Sequence, residues 1–230
     1  MKDVFSILTF YVLLSTFNSL VAQTSPYAQN CWTSILWRHQ FKQGFMITSD
    51  IGYRSFDEFF KQTRQQLGRV MVEKRLNDRH AVGVGYTYFN SYSSSLKSLT
   101  GESRSFVQYQ FTKINEKSTI GIRVRNEFRY YVAKQELVNR FRTQVSYEQK
   151  TKYAWLLPRL FVEGFVTSGS KPIIEQRYSI GNTFKLNATL NLFLFYTLQR
   201  QSTILLNKQE VNQHILGVQL QLNTKSNDNE

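Results

Sequence analysis

Between residues 186 and 200 the chain alternates in a way that only a β-strand can use. Leu186, Ala188, Leu190, Leu192, Leu194, Tyr196 and Leu198 share one register, while Asn187, Thr189, Asn191, Thr197 and Gln199 share the other. Successive side chains of a strand point to opposite faces, so this segment separates an apolar medium from a polar one over a length able to cross a bilayer. The same pattern recurs along most of the chain. Repeated alternation with polar or charged residues on the second face predicts an all-β, antiparallel, up-and-down transmembrane β-barrel, with lipid outside and water inside.

The remaining bounds agree with that class. A mean hydropathy of -0.38 over 230 residues is too polar for a helical membrane protein. The one long apolar run is N-terminal: Lys2 supplies a positive charge, residues 4–21 are largely apolar, and Leu20, Val21 and Ala22 precede Gln23. It predicts a secretory signal peptide over 1–22, cut after Ala22, with an N-terminal membrane anchor as the alternative. Cys31 lies well beyond the apolar run with no lipobox-like sequence before it, so it is not read as a lipid attachment site. As the single cysteine it forms no internal disulfide, which leaves packing and hydrogen bonding to hold the fold.

The net charge of +13 survives loss of the signal, because one Lys and one Asp leave together. Such a charge suits nucleic acid, or the phosphates of anionic lipid and lipopolysaccharide. The distribution decides: basic residues alternate with apolar ones along strands and form no continuous patch, which argues against nucleic acid.

Strand-like segments fall at 31–39, 43–54, 63–75, 79–91, 102–113, 118–132, 137–150, 154–166, 173–184, 186–200 and 210–222. No linker divides them, so the barrel is expected over 23–222 with a polar tail over 223–230. Tight turns are expected at 77–78, 115–117 and 151–152, and longer loops at 91–101, 168–172 and 201–209. Outer-membrane barrels keep short turns periplasmic, which runs the last strand toward the periplasm. The segments number eleven, whereas bacterial single-chain barrels carry an even number, so ten or twelve strands are expected. The difference is made up by a strand missed near 22–31 or 55–62, or by a first segment outside the wall. Phe56, Phe59 and Phe60 also suit a short helical turn.

Charge is sorted by register on four consecutive segments. Ile120, Ile122, Val124, Phe128 and Tyr130 oppose Arg123, Arg125, Glu127 and Arg129. Leu137, Phe141, Val145 and Tyr147 oppose Arg140, Arg142, Gln144, Ser146 and Glu148. Leu156, Pro158, Leu160, Val162 and Val166 oppose Arg159 and Glu163, and Ile174, Tyr178 and Ile180 oppose Glu175, Arg177 and Ser179. A lipid-facing charge near the midplane costs roughly 2–4 kcal/mol, so these rows are expected to line a shared lumen and to pair across neighbouring strands. They serve either as a structural plug or as a small, positively biased pore or pocket that favours anions. Tyr86, Tyr88, Tyr109, Tyr130, Tyr147, Tyr178 and Tyr196 fall on the apolar register, as an interfacial girdle requires.

Catalytic chemistry is hard to find. His39, His80 and His214 are scattered without metal-ligand spacing, and neither a Walker loop nor a dinucleotide fingerprint is present, so no metal or cofactor is implied. Barrel phospholipases and deacylases use Ser with His. His214 shares the apolar register with Leu216 and Val218 and has no Ser two residues away, so it is read as interfacial. Gly83 and Gly85 are read as small residues that permit strand curvature.

Residues 123–131 read RVRNEFRYY, residues 139–144 read NRFRTQ, and residues 158–165 read PRLFVEGF; Trp32 stands early, and His214 leads Val218, Leu220 and Leu222. With these motifs the chain resembles a family of uncharacterised Gram-negative outer-membrane proteins known only as a domain of unknown function. The resemblance spans nearly the whole mature chain and implies an outer-membrane barrel without an established activity. One departure is the end of the last strand at Leu222 with a polar tail, where a terminal aromatic is common. The expected role is therefore a non-catalytic scaffold or small anion-favouring pore, in contact with outer-membrane lipids, lipopolysaccharide and the barrel-insertion machinery. A membrane-embedded lipid-modifying hydrolase and a soluble periplasmic ligand-binding barrel are the alternatives.

Overall fold

A strand with one apolar and one charged face leaves its backbone N–H and C=O groups unpaired along both edges, and closure into a barrel removes every such edge. The computed structural model of the protein describes residues 28–56, 62–93, 98–169, 172–203 and 211–226. Its strands are β1 (Ala28–Gln40), β2 (Phe45–Phe56), β3 (Gln62–Arg75), β4 (His80–Ser93), β5 (Ser98–Ile114) and β6 (Ser118–Tyr131). They continue as β7 (Glu136–Gln149), β8 (Leu156–Thr167), β9 (Ile173–Lys185), β10 (Leu190–Thr203) and β11 (Val211–Lys225). Each pairs with its neighbours in chain order, and β1 meets β11 to close the wall.

The even count is thereby corrected. Eleven alternating strands leave the first and the last pointing the same way, so the closing pair must be parallel. It runs from Ala28 opposite Gln213 to Gln40 opposite Lys225, while the junctions between consecutive strands are antiparallel. The expectation of antiparallel pairing all the way round therefore fails at one seam. No extra strand is needed near 22–31, because β1 itself starts at Ala28. Of the second place suspected, Phe56 and Gln62 belong to β2 and β3, and residues 57–61 lie outside the described residues.

Two ends of strands also move. Leu186 and Ala188, on the greasy register, belong to a turn: the Asn187 side-chain oxygen accepts the backbone N–H groups of Thr189 and Leu190 at 2.9 and 2.8 Å, and β10 starts at Leu190. Asn77 makes the same turn before β4, accepting from Arg79 and His80. Asn and Asp punctuate strands in this way because their short side chains imitate a turn of backbone. At the other terminus β11 runs past Leu222 to Lys225. The expected long loop over 91–101 shrinks, because β4 and β5 pair as far as Ser93 opposite Ser98. Connections at the two ends are then similar in length, with 132–135 reduced to a short 3-10 turn.

The two faces differ sharply. Outward side chains are apolar and exposed around the wall, among them Ile51 at 62 %, Val84 at 59 %, Leu137 at 69 % and Val162 at 51 %. Inward side chains carry nearly all the burial, polar as well as apolar: Glu127, Arg125, Phe165 and Ile215 are all buried. Large inward rings are seated over small residues. Phe106 on β5 occupies the space that a side chain at Gly85 of β4 would fill, which gives that glycine a packing reason more specific than curvature.

Candidate functional site: the arginine-lined lumen

Ion pairs bind strand to strand across the lumen. Glu127 of β6 accepts from Arg140 of β7 at 2.6 Å, with Arg125 at 3.7 Å and Arg142 at 3.9 Å. Glu163 of β8 is paired with Arg142, with Arg123 at 3.4 Å and with Arg177 at 4.0 Å. Glu175 pairs with Arg177 at 2.5 Å, and Glu148 pairs with Arg159 nearer the end of the barrel. Arg129 reaches Glu102 of β5 at 2.5 Å. In low dielectric such charge-assisted bonds are strong, but each member depends on its partner to offset desolvation.

The charged rows extend beyond the four segments that the sequence singles out. Arg69 of β3 donates to both oxygens of Asp50 on β2 at 2.7 and 2.6 Å. Arg104 pairs with Glu102 at 2.6 Å. Gln108 links Glu73 to Arg125, donating to the first at 2.9 Å and accepting from the second at 2.6 Å. Each of these strands carries only a pair of inward charges, such as Glu102 with Arg104 on β5 or Arg69 with Glu73 on β3, so no sustained run of alternating charge announces them; strand pairing sets them beside their partners and the Arg-rich rows.

Aromatic rings form the second component. Arg104 lies 3.8 Å over Phe89, Arg125 4.0 Å over Phe106, and Arg54 4.1 Å over Trp32. The ring of Phe165 meets Arg140, Arg142 and Arg177, each within 5 Å. Guanidinium is planar and weakly hydrated, so it stacks on aromatic faces where a lysine ammonium would stay hydrated.

Most of these stacked residues line a cavity of about 570 Å³. Nine of the residues picked out by register line it: Arg123, Arg125, Glu127, Arg140, Arg142, Glu148, Arg159, Glu163 and Arg177. Arg129 and Glu175 do not line it; they lie further toward the end that carries the β2–β3, β4–β5, β6–β7 and β8–β9 connections, here called the loop end. On that side the inward rows are packed shut, with Phe165 at 1 % and Ile215 at 0 % exposure. The opposite end, carrying the β1–β2, β3–β4, β5–β6 and β7–β8 connections, is the turn end. There the Arg159–Glu148 pair is 25 % and 20 % exposed, against 7 % and 3 % for Arg140–Glu127. The cavity therefore narrows toward the loop end and opens toward the turn end.

The three histidines lie on the outward register and away from this cavity. His214 bonds to the Tyr196 hydroxyl and His80 to the Tyr109 hydroxyl. His39 contacts Thr224 at 2.8 Å and Ser226 at 3.2 Å, bridging β1 to the end of β11 across the parallel seam. The Ser226 contact is absent from the sequence signal, because 187 residues separate the partners. Both partners of His39 are hydroxyls, and among the described residues no carboxylate pairs with it. Among the described residues no group of three His, Cys, Asp or Glu side chains is placed to hold a metal ion.

The family described as "Protein of unknown function (DUF2490)" matches residues 29–209, which takes in β1 to β10 and the charged rows of the lumen. A search of curated proteins found no match.

Proposed function

Since the chain belongs to the DUF2490 family, whose description assigns no activity, its role has to come from the barrel, and we propose that it is a non-catalytic, integral outer-membrane scaffold whose lumen is closed at the loop end. One observation carries this reading: apolar side chains are exposed around the outside while Arg–Glu pairs line the inside. Water-soluble proteins rarely expose contiguous apolar patches beyond a few hundred Å². A soluble ligand-carrying barrel would instead place its apolar side chains inward. The belt fits a bilayer, the residues 1–22 fit an export signal, and outer-membrane lipids, lipopolysaccharide and the insertion machinery are the partners such a protein meets.

A closed lumen is favoured over an open pore by the packed loop end, where Phe165 and Ile215 leave no exposed surface. A lipid hydrolase would need a nucleophile held by a histidine that a third group orients. His39 with Ser226 comes nearest, but its second partner is Thr224, and the set acts as a clasp on the β1–β11 seam.

Fractionation tests the membrane assignment: the protein is expected in the outer membrane with a heat-modifiable band on gels, and recovery in the soluble periplasm would overturn it. Planar bilayers test the closed lumen. The purified barrel is expected to be silent, and steady conductance would show a pore.

A further inference from the structure

The cavity holds more positive charge than its own carboxylates can balance. Ten arginines line it against five acids, Asp50, Glu73, Glu127, Glu148 and Glu163; Glu102 and Glu175 just beyond it balance Arg104 and Arg177, which still leaves a positive surplus, and no lysine is among the lining residues. Arg38 makes no ion pair among the described residues, Arg54 is held by Gln65 at 2.8 Å and by the Trp32 ring with no carboxylate partner, and the Nε atoms of Arg123 and Arg142 are buried without a hydrogen-bond partner. Uncompensated charge in a low-dielectric space is expensive, so anions must accompany this surplus. The exclusive use of arginine gives the surplus a preference. A planar fork of donors matches phosphate and carboxylate oxygens, which a point-like ammonium does not.

The approach to the cavity carries the same sign. Lys42, Arg75, Arg79, Lys113, Lys117, Lys150, Lys152, Lys185 and Lys225 are exposed at the turn end, where the only exposed acids among the described residues are Asp78 and Glu116. A rim of one sign around a low-dielectric opening concentrates counter-ions at its mouth. Within, hydroxyl and amide groups share the wall with the arginines: Ser34 accepts from Gln219 at 2.9 Å, and Ser179 is bonded to Thr197 at 2.7 Å. At about 570 Å³ the space falls within the range of small-molecule pockets.

We infer that the lumen is a blind binding pocket, entered from the turn end, for a small phosphorylated molecule that also carries hydroxyl groups. The loop-end plug makes the pocket blind, the lysine and arginine rim gathers the anion, and the guanidinium of Arg38, on the turn-end side of the lumen, receives the phosphate. The pocket rests on the barrel assignment for its apolar outside but not for its binding, so fractionation and titration fail independently.

Isothermal titration of the full mature barrel in detergent with hexose 6-phosphate, inorganic phosphate and unphosphorylated hexose is the test. Saturable one-to-one binding of the hexose phosphate is expected, weaker for inorganic phosphate and absent for the hexose. Arg38→Gln should weaken it about tenfold or more, while Arg200→Gln on the outer face should not. Failure of every anion to bind, or equal binding of the neutral hexose, overturns the pocket; equal binding of inorganic phosphate overturns the hydroxyl-bearing ligand. Should the Arg38→Gln variant lose its heat-modifiable band, Thr119→Cys on the cavity wall serves instead. Its labelling by an anionic thiosulfonate should outpace that by a cationic one and slow with hexose 6-phosphate, and indifference to both would refute the proposal.

Discussion

Phe195 of β10 and Gly217 of β11 face each other in the ladder, and the phenyl ring lies where any side chain at 217 would have to go. The same ring's strand neighbour on the other side is Gly181, so two inward glycines flank one large inward side chain. A narrow lumen fills in this way, large residue over small. Gly217→Val forces the ring off its site, and overpacking of this kind costs about 1–3 kcal/mol. The loss should appear as a lower urea midpoint for the refolded barrel, and the double variant Gly217→Val with Phe195→Ala should recover part of it. An unshifted midpoint for Gly217→Val would show that the ring has free space elsewhere.

Glu127 and Glu148 look alike in the sequence, each a carboxylate on an Arg-bearing inward row, yet their burial separates them. Glu127 is 3 % exposed and meets three arginines; Glu148 is 20 % exposed and serves Arg159 near the open end. Removing the charge of Glu127 strands buried guanidiniums, a loss of about 3–5 kcal/mol. Glu148→Gln should cost about 0–1 kcal/mol, because water already screens that pair. Urea unfolding of the two variants compares them directly, and equal losses would mean that the lumen is wet throughout.

The strand faces of β6 to β9 were legible because charged or polar residues recur at every second position, charged throughout from Arg123 to Arg129 and mixed from Arg140 to Glu148. Period-two alternation needs only local sequence. What local sequence hides is whatever closure brings together. Arg69 gains its meaning only beside Asp50 of the neighbouring strand, and the isolated Glu102–Arg104 pair of β5 only beside Arg129 of β6. Phe193 and Phe195 break the wet register of β10 and look like flaws until the glycines of neighbouring strands are placed under them. Strand parity fails for the same reason: the antiparallel habit is a rule about neighbours in the chain, and β1 and β11 are neighbours only in the closed wall.

That seam can be checked through the native cysteine. Cys31 of β1 lies opposite Leu216 of β11 in the parallel register, both on the outward face by alternation. Cα atoms of adjoining strands lie within the span a disulfide bridges. Leu216→Cys should therefore cross-link to Cys31 on mild oxidation and shift the unfolded band on a non-reducing gel. Leu220→Cys, opposite Ile35, should not. Cross-linking by Leu220→Cys without Leu216→Cys would place β11 in another register, and none at all would argue that the barrel closes elsewhere.

Phe165 joins plug to wall, since its ring contacts guanidiniums from β7 and β9 while its own strand carries Glu163. Ile215, also fully covered and inward beyond the cavity at the loop end, comes from β11. Truncating both removes the bulk that separates the cavity from the loop end and frees three arginines from the ring that fixes them. Phe165→Ala with Ile215→Ala should turn a silent barrel into a conducting one. Anions should pass preferentially, because Arg outnumbers the acids along the path. Leu160→Ala with Val162→Ala, a change of the same kind on the outward face of β8, should leave the bilayer silent. Silence from both double variants would locate the closure elsewhere in the lumen, and cation preference in the first would contradict the positive interior.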